Sequence, residues 1–261
     1  MSIEIIDFHT HPFIDEQDNI CAHRSVCNMS AAETRRVFAD MGVSKICGSV
    51  ISYYKGENDT MWDKLRRNND SALALREMYG DFYIPGFHIH PDYVEESIAE
   101  IRKMASLGIR LIGELVPSYH GWKNYASEPL SLLLDEAEKH GMVLDLHSQG
   151  NDEMDEMVKR HPNLVIVGAH PGEYPQMQRH IARAKMSDNY YIDISGTAIF
   201  RHGALKRLVD AVGADRLLYG SDFPTCNPEL FISGILEDRY LTDDQKEKIL
   251  AGNAKRLLRI L

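Results

Sequence analysis

His9 and His11 stand one residue apart after the apolar run IEIIDF, and in an extended chain a period of two turns both imidazoles to the same side. Imidazoles so placed can share one divalent ion through their neutral nitrogens. Four more metal-competent side chains each close a further apolar run: Glu114 in LIGELVP, His147 in LDLHSQG, His170 in VGAHPGE and Asp222 in YGSDFP. Imidazole nitrogen with carboxylate oxygen suits Zn²⁺, and equally Mn²⁺, Fe²⁺ or Co²⁺, because affinity order alone does not choose among them. Any one histidine among the chain's 12 is more often structural than ligating, so the weight rests on the coincidence of all these positions.

For residues so far apart in sequence to meet, the runs that carry them must lie side by side. Short apolar runs alternate with stretches of helical periodicity, the pattern of repeated βα units around a parallel sheet. Strands are expected at 3–8, 43–51, 83–88, 109–115, 143–147, 164–168, 190–194 and 217–220, rich enough in Ile, Val and Leu for burial on both faces. Between them, residues 93–107 place Val94, Ile98, Ile101, Met104 and Ala105 on one helical face. Ser30 and Glu33 form a capping-box pattern, and Gly42, Gly108 and Gly141 stand where helices should stop. Eight such units in 261 residues make an α/β chain with a single (β/α)8 TIM barrel as one domain, 1–261. In that fold the C-terminal ends of the strands converge on one site, which gathers all the candidate ligands at one rim. The longest loops, 12–29 and 52–61, are then expected over the mouth as lids or specificity loops.

The bulk properties narrow the function. A formal net charge of −10 argues against nucleic acid and anionic membranes as partners, leaving a small-molecule substrate. No apolar run approaches the ~20 residues of a membrane span, and the opening residues read as a strand rather than a leader, so a cytoplasmic protein is expected. Cys21, Cys27, Cys47 and Cys226 lack CxxC spacing and read as reduced thiols, with Cys226 a spectator beside GSDFP.

From IDFHTHPF to ILAGNAKRLLRIL the ordered set resembles the amidohydrolase superfamily, and RLLYGSDFP with GNAKRLL is most similar to its amidohydrolase-2 group. That group includes decarboxylases of aromatic and muconate-type acids alongside hydrolases of lactones and related substrates. The decarboxylase-like pattern implies one ion held by His9, His11, His147 and Asp222. Glu114 departs from that pattern and resembles the bridging ligand of binuclear members such as TatD-like nucleases and phosphotriesterase relatives. This resemblance implies two ions, with zinc the expected metal, His9, His11 and Asp222 on one, His147 and His170 on the other, and Glu114 between. The competing reading pairs Glu114 with a cation such as Arg110.

The expected reaction is hydrolysis of a small amide, lactone or ester by metal-activated water, with Asp222 carrying the proton. The alternative is non-oxidative decarboxylation at a single ion, which frees His170 to act as an acid; phosphoester hydrolysis ranks below both. For substrate contact the sequence offers His90, ahead of His88, in GFHIHP, together with Arg24 and Tyr119 and the loop residues His23, His120 and Arg201. A homo-oligomer is left open.

Overall fold

The computed structural model describes residues 3–15, 18–21, 29–52, 56–149, 152–196 and 198–260. Its strands are β1 (Ile5–Asp7), β2 (Val43–Gly48), β3 (Tyr83–Phe87), β4 (Leu111–Leu115), β5 (Val143–His147), β6 (Val165–Ala169), β7 (Tyr190–Asp193) and β8 (Leu217–Leu218). Each pairs in parallel with the next, giving one sheet in chain order. Backbone bonds then join its two ends: Phe8 N–H donates to the Tyr219 carbonyl at 2.9 Å, Asp222 N–H to His9 at 2.8 Å and His11 N–H to Phe223 at 2.6 Å. The result is a (β/α)8 barrel with a seam between the start and the end of the chain.

Helices follow the strands as the periodicity implies. Residues Ala31–Asp40 begin with a reciprocal cap in which Glu33 N–H donates to Ser30 Oγ at 3.3 Å and Ser30 N–H donates back to Glu33 Oε2 at 2.8 Å. The amphipathic stretch expected at 93–107 forms the helix Val94–Ser106, with Ile101 and Met104 buried. Among the described residues no helix is long and apolar enough to cross a membrane.

Two strands stop earlier than their composition suggests. β2 ends at Gly48, where φ is +140° and a Cβ would stand 1.9 Å from the Thr10 carbonyl oxygen, so the chain turns where it meets its neighbour. At the end of β8 the Tyr219 N–H is taken by the Ile249 carbonyl at 2.8 Å, which draws it out of the ladder with β7.

The alternation along β5 shows how the barrel is filled. Leu144 and Leu146 join the large apolar cluster that includes Ile101, Leu133 and Leu134 of the helices. Val143 faces the other way, into a second cluster with Ile6, Leu111, Val167, Tyr191 and Leu218, closed by Ala251, Ala254 and Leu258 from the C-terminal segment. Asp145 and His147 continue the Val143 side by period two, so polar chemistry begins where the apolar plug ends.

Candidate metal centre

Directly above that plug the strand ends bring four donor atoms together. His9 Nε2 lies 3.2 Å from His11 Nε2, 3.5 Å from Glu114 Oε2 and 3.6 Å from Asp222 Oδ1. His11 Nε2 is 3.4 Å from both carboxylate oxygens. Donors about 2.1 Å from a tetrahedrally bound ion stand about 3.4 Å from one another, so the spacing suits a first-row divalent metal. The other oxygen of Glu114 faces a second set: Oε1 is 2.9 Å from His147 Nδ1 and 3.1 Å from His170 Nε2. Both His9, His11, Glu114 and Glu114, His147, His170 form compact groups of possible ligands.

The second set is the more open one, since the side chains of His147 and His170 are 36% and 16% exposed and those of His9 and His11 only 1% and 2%. His170 and Asp222 carry left-handed backbone, with φ of 60° and 61°. Side chains that are not glycine pay for that conformation, which persists where the surroundings impose it. At Asp222 those surroundings are a turn whose carbonyl accepts from Thr225 N–H at 2.8 Å and Cys226 N–H at 3.2 Å.

Charge is distributed to keep the donors paired. Burial alone would raise the Glu114 carboxyl, but His9, His170 and His147 around it hold it well below the usual carboxylate range. Burial likewise opposes charge on His9, and the carboxylates of Asp193, Asp145 and Glu114 override it and push the imidazole well above its ordinary value. His11 is pushed down by burial but lifted further by Asp222 and Glu114, to about 9.

Three carboxylates beneath the ligands were not singled out from sequence. Asp193 Oδ2 accepts from His9 Nδ1–H at 2.6 Å. Asp145 Oδ2 lies 3.5 Å from the same nitrogen, and burial raises this carboxyl to about 8. Asp7 accepts from Ser221 N–H at 2.9 Å and Tyr219 O–H at 3.2 Å, and burial raises it to about 7. The available signal was period two: Asp7 and Asp145 each precede a ligand by two residues on a buried strand.

The expected substrate contacts fare differently from the ligands. His90 is buried, and both ring nitrogens are spent on backbone: Nε2–H donates to the His120 carbonyl at 2.9 Å and Nδ1 accepts from Asp92 N–H at 3.1 Å. These two bonds tie loops of the barrel mouth together. His88 Nε2–H donates to the Val50 carbonyl at 2.7 Å. Tyr119 accepts from buried Lys64 Nζ at 2.8 Å and donates to the Ser52 carbonyl. Arg201 pairs with Glu173 at 2.9 Å on the surface. Arg110 donates to the Gly141 carbonyl at 3.0 Å, at the start of β4 and away from Glu114 at its far end. Arg24, His23 and Cys27 lie outside the described residues, as does much of the expected lid at 12–29 and part of that at 52–61.

A family model described as amidohydrolase, of the second type, matches residues 6–260. The chain belongs to this amidohydrolase family. The same architecture recurs in solved structures. An amidohydrolase II structure is 18% identical, covering 98% of this chain and 100% of its own, with a TM-score of 0.76. A 2,6-dihydroxybenzoate decarboxylase from Rhizobium is 16% identical over 99% of both chains, with a TM-score of 0.73. A 5-carboxyvanillate decarboxylase from Novosphingobium aromaticivorans, complexed with manganese and 4-hydroxy-3-methoxy-5-nitrobenzoic acid, is 17% identical over 99% of this chain and 97% of its own, with a TM-score of 0.74. Among curated proteins nothing matches. At these identities the likeness establishes the barrel; for this amidohydrolase the reaction has to be argued from its own residues.

Proposed function

We propose that this amidohydrolase hydrolyses a small amide, lactone or ester at a pair of divalent ions. The observation that carries the reading is Glu114, whose two oxygens face separate histidine pairs, Oε2 toward His9 and His11 and Oε1 toward His147 and His170. His9, His11, Asp222 and Glu114 would hold one ion, and Glu114, His147 and His170 the other. Such ions supply Lewis acidity, polarising a scissile carbonyl and lowering the pKa of water from 15.7 toward about 7. Asp222 is the proposed proton carrier, a role supported by its side chain being 12% exposed against 1% for His9. It would take the proton from the attacking water and deliver it to the leaving group. The buried Asp193 keeps His9 oriented with its Nε2 toward the donors.

A second reading is favoured by the solved structures named above, which include decarboxylases of aromatic acids, one of them complexed with manganese. These relatives weigh toward non-oxidative decarboxylation of a ring-bearing or unsaturated acid more than toward hydrolysis. On that reading His9, His11, His147 and Asp222 would hold one ion, and His170 would stay free to donate a proton to the carbon that loses CO₂. Elemental analysis of protein loaded with zinc or with manganese separates the two. About two ions per chain, with turnover of amide, lactone or ester probes that is abolished by chelation and by Asp222→Asn, supports hydrolysis. One ion per chain with CO₂ released from hydroxylated benzoates replaces it with decarboxylation.

A further inference from the structure

Beneath the ligands runs a chain of hydrogen bonds that joins the two histidine sets away from Glu114. Asp193 Oδ2 accepts from His9 Nδ1–H at 2.6 Å and from Ser195 Oγ–H at 2.7 Å. Ser195 Oγ in turn lies 2.9 Å from His170 Nδ1. A hydroxyl has one hydrogen to give. Having given it to Asp193, Ser195 can only accept from His170, so the proton on His170 is fixed at Nδ1 and the Nε2 atom is the one turned to Glu114. One carboxylate thus sets the ring orientation of His9 directly and that of His170 through a serine.

The surroundings are built around this path. Asp193 and Ser195 are fully buried, and Ser195 N–H donates to Asp193 Oδ1 at 2.9 Å, which ties the chain after β7 into a tight loop. A Cβ at Gly220 would stand 2.3 Å from Asp193 Oδ1 and 2.6 Å from His9 Cβ, so only glycine lets the carboxylate reach the imidazole. Gly196, with φ of +80°, lies where a Cβ would come within 3.2 Å of His170 Nδ1.

We infer that Asp193 and Ser195 are positioning residues that couple the two halves of the metal centre, with Ser195 acting on the His147 and His170 half alone. The inference rests on the proposed metal centre but not on the reaction it performs. Groups that hydrogen-bond the far nitrogen of a ligating histidine govern metal affinity by roughly 10–100-fold, which sets the expected scale. Ser195→Ala should weaken one class of zinc site by that factor and leave the other unchanged, whereas Asp193→Asn should weaken both.

The test combines calorimetric zinc titration of the full chain with long-range proton–nitrogen correlation spectra of its histidines, each variant's fold being checked by circular dichroism. In the wild-type chain the His170 signals should show Nδ1 carrying the proton with zinc bound, and Ser195→Ala should lose that fixed pattern while His9 keeps its own. Unchanged zinc affinities together with an unchanged His170 pattern in Ser195→Ala would overturn the inference. If the wild-type chain binds a single zinc, the two-ion reading fails. The spectra then still decide the coupling, because the hydrogen at His170 Nδ1 and its dependence on Ser195 are read in the metal-free protein as well. Should Ser195→Ala fold poorly, Ser195→Thr keeps the hydroxyl and should retain the wild-type pattern; its loss there counts against the inference.

Discussion

Two His-x-His segments leave the C-terminal ends of strands in this barrel, His9 and His11 after β1 and His88 and His90 after β3, and they have opposite fates. The first pair meets Glu114 and Asp222 at 3.4 to 3.6 Å and rests on Asp193. The second pair meets backbone: His88 is bonded to the Val50 carbonyl, and His90 to the His120 carbonyl and the Asp92 amide. Burial is complete in both places, so burial does not distinguish them. Carboxylates do. Where they surround the imidazoles, proton affinity rises, to about 9 at His11; where they are absent from contact, burial takes it down, to about 4 at His88. The motif supplies two nitrogens, and the strands beside it decide whether these face carboxylates or backbone.

The largest expected effect is at the shared carboxylate. Glu114→Gln removes the charge that faces both histidine sets and should lower kcat/KM on the order of 10³-fold, the several kcal/mol that a Lewis-acid centre supplies. Metal content per chain should fall with it, and a variant that keeps both its metal and its rate would erase the contrast between the two motifs. Next comes His90→Phe, which leaves the His120 carbonyl and the Asp92 amide without their partner. We expect about 1–3 kcal/mol of lost stability in urea unfolding, with metal stoichiometry unchanged.

A smaller effect belongs to pH. In the unfolded chain the His88 imidazole takes up a proton near 6.5, and in the fold only near 4, because burial, His11 and Lys64 oppose the charge more than the Val50 carbonyl and Glu114 favour it. Below 6.5 the unfolded state therefore binds more protons, so this contribution to stability is complete above pH 6.5 and is lost as pH falls toward 4. Thermal melts of His88→Gln should show a shallower decline between pH 7 and 4.5 than the wild type, although His120 beside it, also held low by burial, keeps part of the slope. The smallest effect is expected for Tyr119→Phe, which removes the hydroxyl between Lys64 and Ser52 at a cost of about 1 kcal/mol. A change in KM larger than a few-fold would move this part of the molecule from scaffold to substrate pocket.

The barrel was legible because its strands are apolar and regularly spaced; β5 falls at Val143–His147, as its composition implies. The rim was legible for the same reason, since a histidine or carboxylate that closes an apolar run is conspicuous. What lies one layer down was not. Asp145 and Asp193 sit within strands among hydrophobic neighbours, and only the barrel's curvature brings both to His9 Nδ1. Ser195 is a common residue in an ordinary position, and its role depends on a hydroxyl direction that no spacing reveals. The backbone partners of His90 were not legible either, because they come from loops whose paths the sequence does not announce.

The seam of the barrel adds a last consequence. His9 and His11 precede the first turn of the chain and Asp222 follows the last strand, and their backbones already bond across the closure. An ion held from both sides there, as proposed, would act as a cross-link enclosing about 200 residues, the kind of long loop whose closure costs the unfolded chain most entropy. Such a clasp would stabilise the closed barrel against the unfolded chain, so the residues proposed for the chemistry would also help to hold the molecule shut.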